Sequence, residues 1–308
     1  MRLGVIDIGS NTVHLAVIDA QAGARPIPAF SESGEVRLMR FLEPDGSISA
    51  EGVESLELAV SRAAEQARAQ GAQVKLAIAT SAVREATNGE SVLASLSELV
   101  GTQIEVLAGQ DEARLTFLAA RRWYGWGAGR LLMLDIGGGS LEIAAGQDED
   151  PDVALSLPLG AGRMTKEFLW EADPPSSDEV SRLREHVRHA LGGTLGSLTG
   201  ALRGDHVVAT SKTFRSLARL AGMQRDVLGA GQRYRMRLAQ LDDWTPRLAR
   251  LSSADRTVLP GIGPRRARQI VAGAVVAAEA MRALRVSEVE ICPWALREGA
   301  ILRYLDRL

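Results

Sequence analysis

A single cysteine, Cys292, stands in 308 residues. No disulfide can form within such a chain, and no thiolate-rich metal site can be built. Long apolar runs are also missing: the stretch from Ile270 to Ala280 is broken by Gly273 and Glu279 and is too short to cross a bilayer. Nor is charge of one sign in excess. The 36 Lys and Arg stand against 38 Asp and Glu, a formal net charge of −2, which leaves no electrostatic footprint of a nucleic-acid binder. A polyanion channel with its positive charge kept local remains compatible with that balance. Polar low-complexity tracts are absent too, and 46% hydrophobic with 24% charged residues is an ordinary globular composition. The length is long for one core and comfortable for two. The chain opens as Met1-Arg-Leu-Gly-Val-Ile-Asp7 with no cleavage signal and reads directly as a first strand. Together with the lone cysteine, this leads us to expect a cytoplasmic protein without a membrane partner.

What is present is an internal echo. An apolar run, Leu3 to Ile6, ends in Asp7-Ile8-Gly9-Ser10-Asn11-Thr12 and resumes as Val13 to Ile18. Later, Leu131 to Leu134 ends in Asp135-Ile136-Gly137-Gly138-Gly139-Ser140 and resumes as Leu141 to Ala145. Both read as strand, glycine-bearing turn, strand. Two such units this far apart predict two domains of similar topology facing each other across a cleft. Between them, a helix over Glu51–Gln70, a strand over Lys75–Thr80, a helix over Ser91–Val100, a strand over Thr102–Leu107 and a helix from Asp111 to Tyr124 alternate, which predicts an α/β layer architecture. Gly125-Trp-Gly-Ala-Gly129 reads as the hinge, giving domains 1–125 and 126–308. Beyond the second hairpin we expect helices near Asp178–Leu195 and from Thr213, Asp242, Pro264 and Ala295, with strands at Val207–Ala209 and Val289–Ile291. The terminal helix, 295–308, is expected to pack back on the first domain.

Glycine turns admit phosphate oxygens to backbone N–H groups because no Cβ intervenes, and Ser10, Asn11, Thr12 and Ser140 add side-chain donors. A strand-end carboxylate in such a turn repels phosphate unless a divalent cation lies between. Asp7, Asp135 and Glu142 supply hard oxygens of the kind Mg²⁺ takes.

D-I-G-S-N-T and D-I-G-G-G-S-L-E resemble the paired phosphate motifs of the acetate kinase, sugar kinase, Hsp70 and actin superfamily. A-T-S-A-V-R-E at Ala79–Glu85, A-G-Q-D-E-A-R-L at Ala108–Leu115, A-T-S-K-T-F at Ala209–Phe214 and A-L-R-E-G at Ala295–Gly299 resemble signatures of its Ppx/GppA phosphatase branch, in order along nearly the whole chain. The resemblance is to short, two-domain actinobacterial exopolyphosphatases. It implies two actin-like, ribonuclease H-like domains and a Mg²⁺-dependent hydrolase (Mn²⁺ substituting) that removes the terminal phosphate of inorganic polyphosphate, as a homodimer. By the same resemblance Glu112, not its neighbour Asp111, is the base that activates water. Asp135 and Glu142 hold the metal, and Gly137, Gly138 and Ser140 contact phosphate. Arg84, Arg163 and Arg266 pair with phosphate oxygens, with Arg265 competing for the last place. The same chemistry on guanosine pentaphosphate is the alternative, with a phosphotransferase or an actin-like scaffold as readings of other classes.

Other signals carry less. Leu259-Pro-Gly-Ile-Gly-Pro-Arg-Arg-Ala-Arg-Gln-Ile270 resembles a DNA-binding helix-hairpin-helix turn, but one copy inside an enzyme-like domain reads better as a loop and helix N-terminus. Ser211-Lys212-Thr213 lacks the glycine that a P-loop requires before its lysine. His186 and His189 share a helix face without a third ligand and read as surface residues. Cys292, Trp123 and Trp126 read as packing.

Overall fold

The two N-terminal apolar runs become a pair of antiparallel strands. In the computed structural model, which describes residues 2–21, 23, 25–195, 200–222, 224–225 and 234–308, β1 (Arg2–Ile8) pairs with β2 (Thr12–Asp19), and β2 with β3 (Phe30–Glu35). Successive side chains alternate between faces. Ile6, Ile8, Val13, Leu15 and Val17 enter one buried cluster, and Leu3, Val5, Ala16 and Ile18 another. Helix α1 (Ala50–Ala69) is capped by Ser49, whose hydroxyl accepts from the Gly52 N–H. β4 (Gln73–Ala79), α2 (Ser81–Arg84), α3 (Gly89–Val100), β5 (Glu105–Val106) and α4 (Gly109–Tyr124) follow. The strand expected over 102–107 is shorter because the Ile104 N–H donates to Ser97 Oγ (3.3 Å) and is lost to the ladder.

The same plan recurs downstream. β6 (Leu131–Ile136), β7 (Leu141–Gly146) and β8 (Val153–Leu157) form a second meander. It is followed by α5 (Ala161–Phe168), α6 (Ser177–Leu195), β9 (His206–Ala209), α7 (Ser211–Leu220), β10 (Gln224–Arg225), β11 (Tyr234–Arg237), α8 (Leu238–Arg250), α9 (Ser253–Arg256), α10 (Ile270–Ala283), β12 (Glu288–Ile291) and α11 (Leu296–Leu305). The first sheet has the order β3-β2-β1-β4-β5, and the second β8-β7-β6-β9-β12-β11-β10. In each, the meander is antiparallel and the next two strands join in parallel. β11 and β10 extend the second sheet at one edge. The chain is therefore an α/β protein with a twice-repeated actin-like sheet.

Two compact units result: Met1–Leu115 with Arg297–Leu308, and Thr116–Leu296. In the first, α11 places Ile301 and Leu305 against Leu3, Val5, Ala16 and Ile18. Gly299 permits this approach, since a Cβ there would lie 1.8 Å from the Leu115 carbonyl oxygen. In the second, α10 is buried along nearly its whole length, and its one carboxylate, Glu279, is met by Arg184, Arg188 and Arg282 at 3.3, 2.8 and 2.7 Å. Gly125–Gly129 lies inside this unit. It is tied there by the buried Arg121, whose guanidinium donates to the carbonyls of Gly125, Gly129 and Gly146. The helix expected from Pro264 begins only at Ile270. Residues 264–269 are turns, and the Ala267 carbonyl that would continue a helix accepts instead from the buried Arg256 (2.9 Å). Among the described residues no helix is long and apolar enough to cross a membrane.

Candidate active site

In the second unit the segment after β8 folds back on the β6–β7 turn. The carbonyls of Gly137, Gly138 and Gly139 accept from the N–H groups of Ala161, Gly162, Arg163 and Gly160 at 2.9–3.2 Å, so the start of α5 consumes the turn's acceptors. Its donors are left. The Gly137 N–H closes the hairpin onto the Ser140 carbonyl (2.9 Å), while among the described residues the N–H groups of Gly138, Gly139 and Ser140 have no acceptor in the protein. Successive free N–H groups on a turn make an anion-binding concavity. None of these turn glycines has a left-handed φ. The position that must be glycine is Gly160, where a Cβ would come within 2.3–2.5 Å of the Gly138–Ser140 backbone. Arg163, expected on phosphate, donates through Nε to the Gly139 carbonyl (3.0 Å) and so braces the turn.

Strand register places the acids. Asp135 and Glu142 are directly opposed across β6 and β7, on the face opposite Leu134, Ile136, Leu141 and Ile143. Like charges so opposed repel. Each is held from the side: the buried Thr210 hydroxyl donates to Asp135 Oδ2, and Ser156, the β8 neighbour of Glu142, donates to its Oε1 at 2.9 Å. Next to Thr210, Ser211 carries φ +69, a left-handed backbone rare outside glycine and typical of constrained functional turns. No group of three or more His, Cys, Asp and Glu gathers among the described residues. Two opposed carboxylates nonetheless fit Mg²⁺, which takes one or two protein carboxylates and fills its octahedron with water and substrate phosphate.

The first unit repeats the turn with different side chains. The Gly9 N–H bonds the Thr12 carbonyl (3.0 Å). The segment after β3 again takes the carbonyls, with Leu38 on Ser10 (2.8 Å) and Val36 and Arg37 on Asn11 (3.0 and 3.1 Å). Asp7 faces His14 across the ladder, where the second unit has Glu142. Ser10 Oγ lies 3.3 Å from Ser81 Oγ. Glu112 is 5% exposed, while Asp111 is exposed and lies 3.7 Å from Arg114. Arg84 meets Glu112: its Nη1 donates to Glu112 Oε1 and to the Leu107 carbonyl, both at 2.5 Å.

Arg266 is half-buried in the second unit, and its side chain makes no hydrogen bond or ion pair to the described residues. Burial pushes its guanidinium pKa down to about 10, and the charges of Arg215 and Arg265 add to the effect. Sequence reasoning did not single out Thr210, Ser156 or Gly160. A signal for the first exists, since Ala79-Thr80-Ser81 and Ala209-Thr210-Ser211 repeat. Both threonines end a strand parallel to the hairpin's first strand, with their N–H groups on Ile8 (3.2 Å) and Leu134 (2.9 Å).

Exopolyphosphatase 1 of Mycobacterium tuberculosis is 48% identical over 306 residues, covering 99% of this chain and 89% of the relative. A guanosine-5′-triphosphate,3′-diphosphate pyrophosphatase of Aeromonas salmonicida is 25% identical over 96% of this chain and 58% of its own length. The crystal structure of an exopolyphosphatase from Cytophaga hutchinsonii superimposes with a TM-score of 0.87 at 23% identity, covering 100% of this chain and 99% of that one, and shares the fold. The model of the Ppx/GppA phosphatase family matches residues 16–308, and the chain belongs to that family.

Proposed function

We propose that this protein releases orthophosphate from the end of inorganic polyphosphate by metal-assisted hydrolysis. The observation that carries the reading is the Gly137–Ser140 turn, with its carbonyls consumed by α5 and three N–H groups left to donate. The name of the 48% identical Mycobacterium tuberculosis relative supports the substrate. In this reading Gly138, Gly139 and Ser140 hold phosphoryl oxygens, and the Arg266 cluster neutralises further phosphates of the chain. Asp135 and Glu142 would hold Mg²⁺, which when bound neutralises charge on the phosphates; Mn²⁺ would take the same oxygens. Glu112 accepts a proton from the attacking water. The water oxygen bonds to the terminal phosphorus as its bond to the bridging oxygen breaks, and the shortened chain leaves with that oxygen.

Guanosine pentaphosphate is the second reading, favoured by the name of the Aeromonas salmonicida relative. Orthophosphate release from tripolyphosphate, longer polyphosphate, guanosine pentaphosphate and ATP, each with Mg²⁺ and with excess chelator, tests both. Polyphosphate turnover that is abolished by chelation and restored by Mg²⁺ or Mn²⁺ is expected. Full turnover in chelator, or activity on guanosine pentaphosphate alone, would overturn it.

A further inference from the structure

Strands β6 and β9 end at Ile136, next to Asp135, and at Ala209, just before Thr210, and they begin at a different feature of the same unit. Leu132 and Val207, near their starts, together with Leu284 and Val286, line a cavity of about 540 Å³ whose lining also includes the exposed Arg203 and Arg285. That volume lies within the range of small-molecule sites and is far larger than a bare phosphate needs.

Arg285 is the informative residue. It closes the C-terminus of α10: its N–H bonds the Arg282 carbonyl (3.0 Å), the next N–H, of Val286, returns to the Met281 carbonyl (2.8 Å), and its own φ is +57. This closing position favours glycine, because any Cβ is strained there. The guanidinium does not recover that strain within the protein. Among the described residues neither Arg285 nor Arg203 has a side-chain hydrogen bond or ion pair. The acid of the cavity, Glu288, is engaged by Arg235 (3.3 Å) and Arg237 (3.1 Å) and leaves both charges uncompensated. Departures from local preference without a structural return are expected at functional or strained positions.

We propose that this cavity is a binding site for an organic phosphate of nucleotide size, separate from the glycine turn. Arg203 and Arg285 hold its phosphoryl oxygens by their planar forks, and the half-buried Val207 meets its apolar body, backed by the buried Leu132, Leu284 and Val286. The inference is independent of the reaction proposed above.

The test is equilibrium binding of ADP to the full-length protein in saturating tripolyphosphate, which occupies any site that reads phosphate chains. A saturable ADP site that persists under these conditions is expected. Arg285→Gly should weaken it by about tenfold or more, the loss of a charged hydrogen bond, and Arg203→Ala likewise. Arg285→Gly should leave phosphate release from tripolyphosphate unchanged and melt at a higher temperature than the parent, because the strain is removed. Absence of tripolyphosphate-resistant ADP binding, undiminished binding in both variants, or a lower melting temperature for Arg285→Gly would overturn the proposal.

Discussion

Replacing Glu112 by Gln separates the proposed chemistry from a structural role. The side chain is 5% exposed and bound by Arg84 at 2.5 Å. Gln keeps its volume and can still accept that hydrogen bond, so folding loses only the charge assistance of one bond, about 1–2 kcal/mol. This is small against the roughly 5–15 kcal/mol that hold a domain together. A lost general base costs about two to four orders of magnitude in turnover, equivalent to about 3–5 kcal/mol of barrier. The two effects therefore separate. A urea melt of Glu112→Gln should show a folded protein, and single-turnover release of orthophosphate from tripolyphosphate should be nearly abolished with substrate binding intact. Asp111→Asn is the control, because Asp111 is exposed and its ion pair with Arg114 at 3.7 Å contributes little. It should release phosphate within about twofold of the parent, as surface changes do. If Glu112→Gln releases phosphate at the parental rate, or if Asp111→Asn is the inactive variant, the assignment of the base is wrong.

Thr210→Val removes the hydroxyl that holds Asp135 and should weaken Mn²⁺ binding, read by calorimetry without substrate, by about 10–100-fold. Thr210→Ser should restore it, and unchanged affinity in the valine variant would remove Asp135 from the metal site. Glu279→Gln strips the charge that Arg184, Arg188 and Arg282 share and should cost about 1–3 kcal/mol in urea unfolding. Phosphate release below the unfolding midpoint should stay parental, since Glu279 serves only the packing of α10 on α6.

Periodicity and turn chemistry are local, and the features that depend on them were legible in the residues. The Asp-Ile-Gly echo marked both hairpins because a short apolar run stopped by a glycine-bearing turn and then resumed has few other solutions. Gly71 and Gly101 marked helix ends by the same kind of local signal, and the alternation of elements indicated the α/β class. Element boundaries were less legible wherever a distant group competed for the backbone, as Arg256 does at the Ala267 carbonyl and Ser97 at the Ile104 N–H.

What only the tertiary structure decided is which donors remain available. The Gly137–Ser140 turn is donor-rich because the start of α5, more than twenty residues away, occupies its carbonyls, and no local pattern in D-I-G-G-G-S contains that information. Pairing had the same effect on side chains. Arg84, expected on phosphate from the family resemblance, is joined to Glu112, and Arg163 is turned onto the Gly139 carbonyl, whereas Arg266 is left among like charges. Residue type and spacing set the chemistry each side chain can perform. Whether a polar group is free to perform it depends on hydrogen bonds closed across long sequence separations, and these exist only once the sheets and helices have packed.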